Sequence, residues 1–304
     1  MQAPFKPGQF QVWWLAIRPK TLSISVAPVL LATALAWSDH ARISWFTFAL
    51  ILCSVLAIQI GTNLYNDAAD FEKGADDFER LGPERAAQQG WLTAKQIKSG
   101  ALFSFGCAFI SGIYLAWLGG LPIIILGLIS IACGYAYTGG PKPIAYSPLG
   151  EVFVMIFFGL AAVGGTYFLY TLAITPKVIL MATSIGSMAA AILLVNNYRD
   201  LDQDRKANKL TLVHYIGRQN ARILYNILIL YPYILLLFIF STHSNYTLSI
   251  LCPLFSLPLA LKVITLMEQL PISHKLNLLL KKTAQLQLIY TLLLCLGLFI
   301  GVRT

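Results

Sequence analysis

Charge is scarce in this chain: only 12% of its 304 residues are Asp, Glu, Lys or Arg, and just 13 are acids. With 57% hydrophobic residues and a mean hydropathy of +0.70, that scarcity excludes an ordinary soluble domain and puts the chain among integral membrane proteins. The apolar runs do not alternate with polar residues, which excludes a membrane barrel. Histidine is rare, four in all, and no two stand at metal-ligand spacing, so no His-based metal site is expected. The five cysteines lie inside apolar runs without a C-x-x-C pair, which argues against redox or metal roles and for small apolar fillers. At the N-terminus, Met1 to Pro7 contains no short apolar region with a small-residue cleavage site, so the first span is read as retained.

Long apolar runs are what the chain has in abundance. Nine are long enough to cross a bilayer as helices, at approximately 21–38, 45–66, 99–118, 121–138, 149–170, 177–198, 223–241, 247–265 and 284–302. With the N-terminus inside, all but three of the 22 Lys and Arg (Arg42, Lys177 and Arg303) fall on the cytoplasmic side. This asymmetry explains the net charge of +9 by topology and by anionic lipid or substrate; no nucleic-acid module is recognisable. The expected architecture is all-α, a single polytopic membrane domain over 1–304.

Two of the spans end in carboxylates. Asn63 to Asp77 carries Asp67, Asp70, Glu72, Asp76 and Asp77 just where an apolar run meets water. Mutual repulsion there calls for a compensating charge, and a divalent cation is the leading candidate. If the helix continues, Asn66 and Asp70 are four residues apart and Asp67 and Asp70 three, which stacks their oxygens on one face. A second copy, Asn196 to Asp204, aligns with the first as Asn63/Asn196, Tyr65/Tyr198 and Asp67/Asp200, at a constant offset of 133. The chain thus reads as two pseudo-repeated halves with motifs near 63–77 and 196–209. Two such edges face to face would hold Mg²⁺, which completes its shell with substrate phosphates, so a diphosphate is the natural guest.

Basic and aromatic residues gather around these edges. Arg18-Pro19-Lys20-Thr21 precedes the first span, and Pro19 suits a helix start. The longest hydrophilic loop, Phe78 to Thr93, carries Arg80 and Arg85, whose planar guanidinium groups match phosphate oxygens. Thr93 and Gln96 form the pattern of a capping box. Tyr137-Thr138-Gly139-Gly140-Pro141 must break a helix, and Tyr137 and Tyr146 flank the break. Glu151 opens the fifth span as a candidate supporting carboxylate. Arg205, Lys206, Asn208, Lys209, Thr211 and Arg218 follow the second motif and either pair with its acids or bind anionic substrate.

Asn66-Asp67-x-x-Asp70 with Gly74 and Asp76, then Asp200-x-x-x-Asp204, resembles the two aspartate-rich motifs of the UbiA superfamily of intramembrane aromatic prenyltransferases, over nearly the whole chain. Within it, Gly82-Pro83-x-Arg85-Ala86, Arg18-Pro19-Lys20-Thr21, Tyr137 to Pro141 and Asn208-Lys209-x-Thr211-Leu212 are similar to the menaquinone-pathway branch, whose acceptor is 1,4-dihydroxy-2-naphthoate; Glu84 and Leu210 depart from that pattern. The resemblance implies nine transmembrane helices around a central cavity, with a lateral opening to membrane lipids. It implies Mg²⁺ held by Asn66, Asp67, Asp70 and Asp76 and by Asp200 and Asp204, with Asp202 supporting. It assigns Lys209, Arg85 and Arg80 to the diphosphate of a polyprenyl diphosphate, Arg18 and Tyr137 to the acceptor side, and catalysis to Asp70, Asp204 and Lys209. A sister enzyme using 4-hydroxybenzoate and an ion-coupled transporter are the competing readings; the latter would place ionisable groups nearer mid-bilayer.

Overall fold

Asn66 to Glu72 and Arg199 to Lys206 contain nothing that stops a helix, and both apolar spans run on through them. The computed structural model describes residues 8–74, 81–242 and 247–301, and these contain no strand. A short helix α1 (Gln9–Ala16) precedes α2 (Pro19–Ser38), α3 (Trp45–Glu72), α4 (Ala94–Ala136), α5 (Gly150–Thr171), α6 (Pro176–Lys206), α7 (Leu212–Thr242), α8 (Leu248–Gln269) and α9 (Leu276–Gly301). Pro19 stands in the first turn of α2, and Thr93 and Gln96 close a reciprocal capping box on α4.

Eight of these helices are long and apolar enough to cross a membrane. One counts twice. The 43 residues of α4 would reach about 65 Å if straight, twice the ~30 Å of a bilayer core. Gly120, at φ 64° and ψ −153°, breaks it just before Pro122. The Phe105 ring approaches to 3.1 Å from where a Gly134 side chain would begin, so the chain doubles back and 94–119 and 121–136 form a hairpin. The described residues therefore make nine spans, the number expected. The expected ends fall short: α3 and α6 continue to 72 and 206 rather than 66 and 198, α9 begins at 276 rather than 284, and α7, broken at Gly217 (φ 74°, ψ 168°), resumes at 218 rather than 223. Charge ended the apolar runs there, but only Gly74 and Asn208, both with positive φ, end the first two helices.

α6 is the central post. Most of its length is buried among α2, α5, α7 and α9, and small residues (Ser184, Gly186, Ser187, Ala189, Ala190, Ala191) allow that crowding. α4 lies outside, exposing Leu102, Phe103, Ile110 and Trp117 as a lipid-facing surface that water would not tolerate. At the end remote from the acidic motifs, Asp39 after α2 accepts a hydrogen bond from Tyr167 of α5 at 2.6 Å and pairs with Lys177 of α6. α5 and α6 also meet closely, where the first side-chain carbon of any residue replacing Gly186 would lie 2.5 Å from the Met155 carbonyl and 3.1 Å from Gly159 Cα. Gly186→Ala is therefore expected to destabilise the bundle by about 1–3 kcal/mol, read as a lower thermal midpoint in detergent.

Candidate active site

Three backbone turns deliver polar side chains to the end of the bundle where α3 and α6 finish. The first is at Arg18, which sits in the left-handed region (φ 55°, ψ 65°) because Pro19 disfavours the right-handed helical conformation before it. Such strain costs on the order of 1–2 kcal/mol. Asn63 of α3 holds the turn, donating from Nδ2 to the Ile17 carbonyl and to Thr21 Oγ1, each at 3.1 Å.

The second turn closes α6. Asn208 adopts φ 53°; its N–H bonds the Arg205 carbonyl at 3.2 Å, and the Lys209 N–H bonds that of Asp204 at 2.8 Å. This paired closure, with Asn in the left-handed position, folds Lys209 back over the helix end. Its Nζ comes to 3.3 Å from Asp204 Oδ1. The third turn follows α4. With Gly140 at φ 75°, the chain reverses so that the Ala145 N–H bonds the Tyr137 carbonyl at 2.8 Å. Tyr146 then donates its hydroxyl to Asp70 Oδ1 at 3.0 Å, while Lys73 and Lys209 lie over its ring.

The loop from Leu81 to Thr93 is drawn over the same end. Asp67, fully buried, accepts the N–H groups of Ala86 and Ala87 at 3.1 and 3.4 Å. This holds Arg85 inward, where Nη1 meets Asp70 Oδ2 at 2.9 Å and the Asn66 carbonyl at 3.2 Å. Asn277 at the start of α9 donates to the Leu81 carbonyl at 3.0 Å and ties down the near side of the loop.

Between these turns lies a polar chamber of about 230 Å³, lined by Arg18, Asn66, Arg85, Asn196, Asp200 and Lys209, with Tyr137 in its wall. It borders an apolar cavity of about 620 Å³; Ile58, Gln59, Ser130, Phe157 and Phe158 line both. Burial opposes the charge on Lys209, but Asp204 and Asp70 outweigh it and hold the ammonium above the usual lysine range. Burial, reinforced by Glu151, Asp70 and Asp204, pushes the Tyr137 phenol up. Tyr137 thus keeps its proton and can donate it in a hydrogen bond. An anion with a long hydrocarbon tail fits such a pair of compartments: cations meet the head and the apolar cavity the tail.

Residues 25–275 match the UbiA prenyltransferase family. The chain belongs to that family. Among curated relatives of this UbiA-family protein, 1,4-dihydroxy-2-naphthoate octaprenyltransferase of Haemophilus influenzae is 36% identical over 73% of this chain and 74% of that one. The protein of the same name from Escherichia coli is 34% identical over 96% of each. The fold matches a UbiA homolog from Archaeoglobus fulgidus bound to DMAPP and Mg²⁺, with a TM-score of 0.67, covering 96% of this chain and 99% of that one at 16% identity. The protein is an integral membrane prenyltransferase.

Within this UbiA-family fold, the chamber end brings together Arg18, Asn66, Asp70, Arg85, Tyr137, Asp200, Asp204 and Lys209 from both halves of the chain. Asp67 and Asp70 both meet the loop at 85–87, Asp67 through the N–H groups of Ala86 and Ala87 and Asp70 through the Arg85 guanidinium, while Asp200 pairs through both oxygens with Arg199 beside it. Asp202, half a turn from Asp200 and Asp204, points to the opposite surface, where it is 64% exposed and bonded to Arg218 at 2.8 Å. Asp76 and Arg80 lie outside the described residues. With Asp202 turned away, each half contributes a mixed Asn/Asp set, and no group of three His, Cys, Asp or Glu is gathered among the described residues.

Glu151 and Tyr146, both singled out in the sequence, meet partners that spacing did not name. Asn197, which lines the chamber, donates to Glu151 Oε1 at 2.8 Å. Tyr146 joins the halves, touching Asp70 through its hydroxyl and Lys209 through its ring; the turn chemistry of Gly139-Gly140-Pro141 was the signal that could have found it. Tyr146→Phe keeps the ring and loses one bond to a charged acceptor, a change of about 1.5–3 kcal/mol at most. Steady-state assays are expected to show a drop in turnover of roughly tenfold with the protein still folded.

Proposed function

We propose that this enzyme transfers the polyprenyl group of a polyprenyl diphosphate to 1,4-dihydroxy-2-naphthoate, releasing diphosphate and CO2, as a step of menaquinone biosynthesis. The observation that carries the reading is the cationic chamber opening directly on an apolar cavity. The relatives named for this reaction span most of the chain. The positive-inside asymmetry supports a cytoplasmic N-terminus and a chamber at the cytoplasmic face of the inner membrane. A single membrane domain whose two halves each supply one edge of the site follows from the same reading.

Mg²⁺ suits the donors present. Asn66, Asp70, Asp200 and Asp204 offer only oxygen, and Asp204 Oδ2 is buried without a hydrogen-bond partner. In this reading those four hold the metal, Asp67 shapes the loop that carries Arg85, and Asp76 would join from outside the described residues. Bound there, Mg²⁺ would neutralise the departing diphosphate. Arg85 and Lys209 take the remaining phosphate charge, and both line the chamber. Arg18 and Tyr137 offer a cation and a hydroxyl to the acceptor's carboxylate and ring oxygens. The C1–O bond of the donor breaks with its electron pair going to diphosphate, an electron-rich ring carbon supplies the pair for the new C–C bond and sheds its proton, and the ring–carboxyl bond breaks to release CO2, its electron pair taking up a proton at the ring. Leaving lipid would cost the tail ~0.8 kcal/mol per CH2, which is why the reaction belongs in a bilayer.

The test uses the reconstituted protein with a polyprenyl diphosphate and either 1,4-dihydroxy-2-naphthoate or 4-hydroxybenzoate, with and without Mg²⁺, reading lipid products by mass. The expected result is a prenylated naphthoquinol lacking the carboxyl group, formed only with metal. Product from 4-hydroxybenzoate alone would move the enzyme to the sister branch. No product from either would reopen the transporter.

A further inference from the structure

α5 is not α-helical throughout: Ile156–Ala161 forms a π-helical turn. Such turns recur at functional sites because they re-aim side chains. In a regular α-helix Phe158 would point about 140° away from Phe153. The wider turn brings residues five apart towards register, so that Phe153, Phe157 and Phe158 all line the chamber. Phe153 and Phe157 stack with centroids 5.8 Å apart and planes 15° from parallel. Phe157 and Phe158 also line the apolar cavity, so they stand where the two compartments join. The turn is braced from behind by α6, since Gly159 and Gly186 meet with no room for a side chain on either.

Resting on the prenyl-transfer reading, we propose that Phe157 and Phe158 form a neck that grips the first isoprene units of the donor. Their rings wall the allylic carbon from water and turn their faces to its developing positive charge. Chemistry makes both roles useful. When the C1–O bond breaks and diphosphate leaves with the electron pair, the carbon accepts a pair from whichever donor is nearest. A ring carbon gives prenylated product. A water oxygen, shedding one proton to solvent, gives a polyprenol instead. Ring faces attract a cation, whereas an aliphatic wall of the same size only excludes water.

The experiment uses the full chain in vesicles with octaprenyl diphosphate, 1,4-dihydroxy-2-naphthoate and Mg²⁺, measuring diphosphate, prenylated quinol and octaprenol in the same reaction. Wild type is expected to release one diphosphate per prenylated quinol. Phe157→Ala and Phe158→Ala open the neck, and a large share of the released diphosphate should be matched by octaprenol. Phe157→Met and Phe158→Met refill the space without a ring, so coupling should persist while turnover falls roughly tenfold. The Met variants carry the test if the Ala variants do not fold, as judged by thermal midpoint. Folded Ala variants that stay fully coupled, or Met variants at wild-type rate, would overturn the neck while leaving prenyl transfer standing. A wild type that releases no diphosphate with any aromatic acceptor would overturn both.

Discussion

Asp70→Asn and Asp204→Asn are each expected to lower prenyl transfer by on the order of 10³-fold or more while the protein still inserts and folds. Asn at position 70 can still accept a hydrogen bond from Arg85 or Tyr146, the two groups that bond the native carboxylate. At position 204 the helix closure is made by the backbone carbonyl, not the side chain. What each variant loses is a unit of negative charge facing the chamber end, and with it the electrostatic reason for a divalent cation to bind. Asp202→Asn is the internal contrast. Its carboxylate faces Arg218 on the opposite surface, so its replacement is expected to leave turnover within about twofold. Mg²⁺ titrations of the three variants, read as initial rates and as thermal shifts, check all of this at once. Near-normal Mg²⁺-dependent turnover in Asp70→Asn or Asp204→Asn would end the two-edge metal reading.

The nine spans were legible because hydrocarbon demands continuous apolar runs with internally bonded backbone, and that demand leaves a plain trace in composition. The two acidic edges were legible for the opposite reason, since charge is conspicuous in so apolar a chain. What spacing could not resolve was direction. Asp67 and Asp70 are three residues apart and both meet the loop packed on α3, and only that packing decides that Asp67 takes the Ala86 and Ala87 N–H groups while Asp70 takes the Arg85 guanidinium. Asp202 is simpler: in any helix containing Asp200 and Asp204 it must point away, and the helix had only to continue past residue 198 for this to follow. Tyr146 and the Glu151–Asn197 pair depend on contacts 76 and 46 residues apart in sequence. The π-turn in α5 leaves no signature in periodicity, because Phe157 and Phe158 sit in an apolar run where every position is hydrophobic.

Lys209→Ala is expected to cost turnover at least ~10²-fold and, unlike the aspartate variants, to make the protein lean harder on Mg²⁺ for its stability. Lys209 stands between the motifs, 3.3 Å from Asp204, with Asp204 and Asp70 both favouring its charge. A diphosphate entering the chamber meets this ammonium and Arg85 together. Removing the lysine deletes one of these two phosphate partners and leaves Asp204 buried with no cation in contact. An uncompensated buried carboxylate is costly, of the order of 3–5 kcal/mol, and a divalent cation is the obvious species to offset it. The midpoint without metal should therefore fall, and its rise on adding Mg²⁺ should exceed that of wild type. The sign of the lysine's own titration sharpens the test. Its folded value lies above the ordinary ~10.4, so the ion pair contributes fully at lower pH and is lost only as pH rises through that higher value. Wild-type turnover should then show no Lys209 titration between pH 7 and about 9. A variant with an unchanged Mg²⁺ shift would mean that Lys209 and the metal do not compete for the same carboxylates, and that the lysine acts on substrate alone.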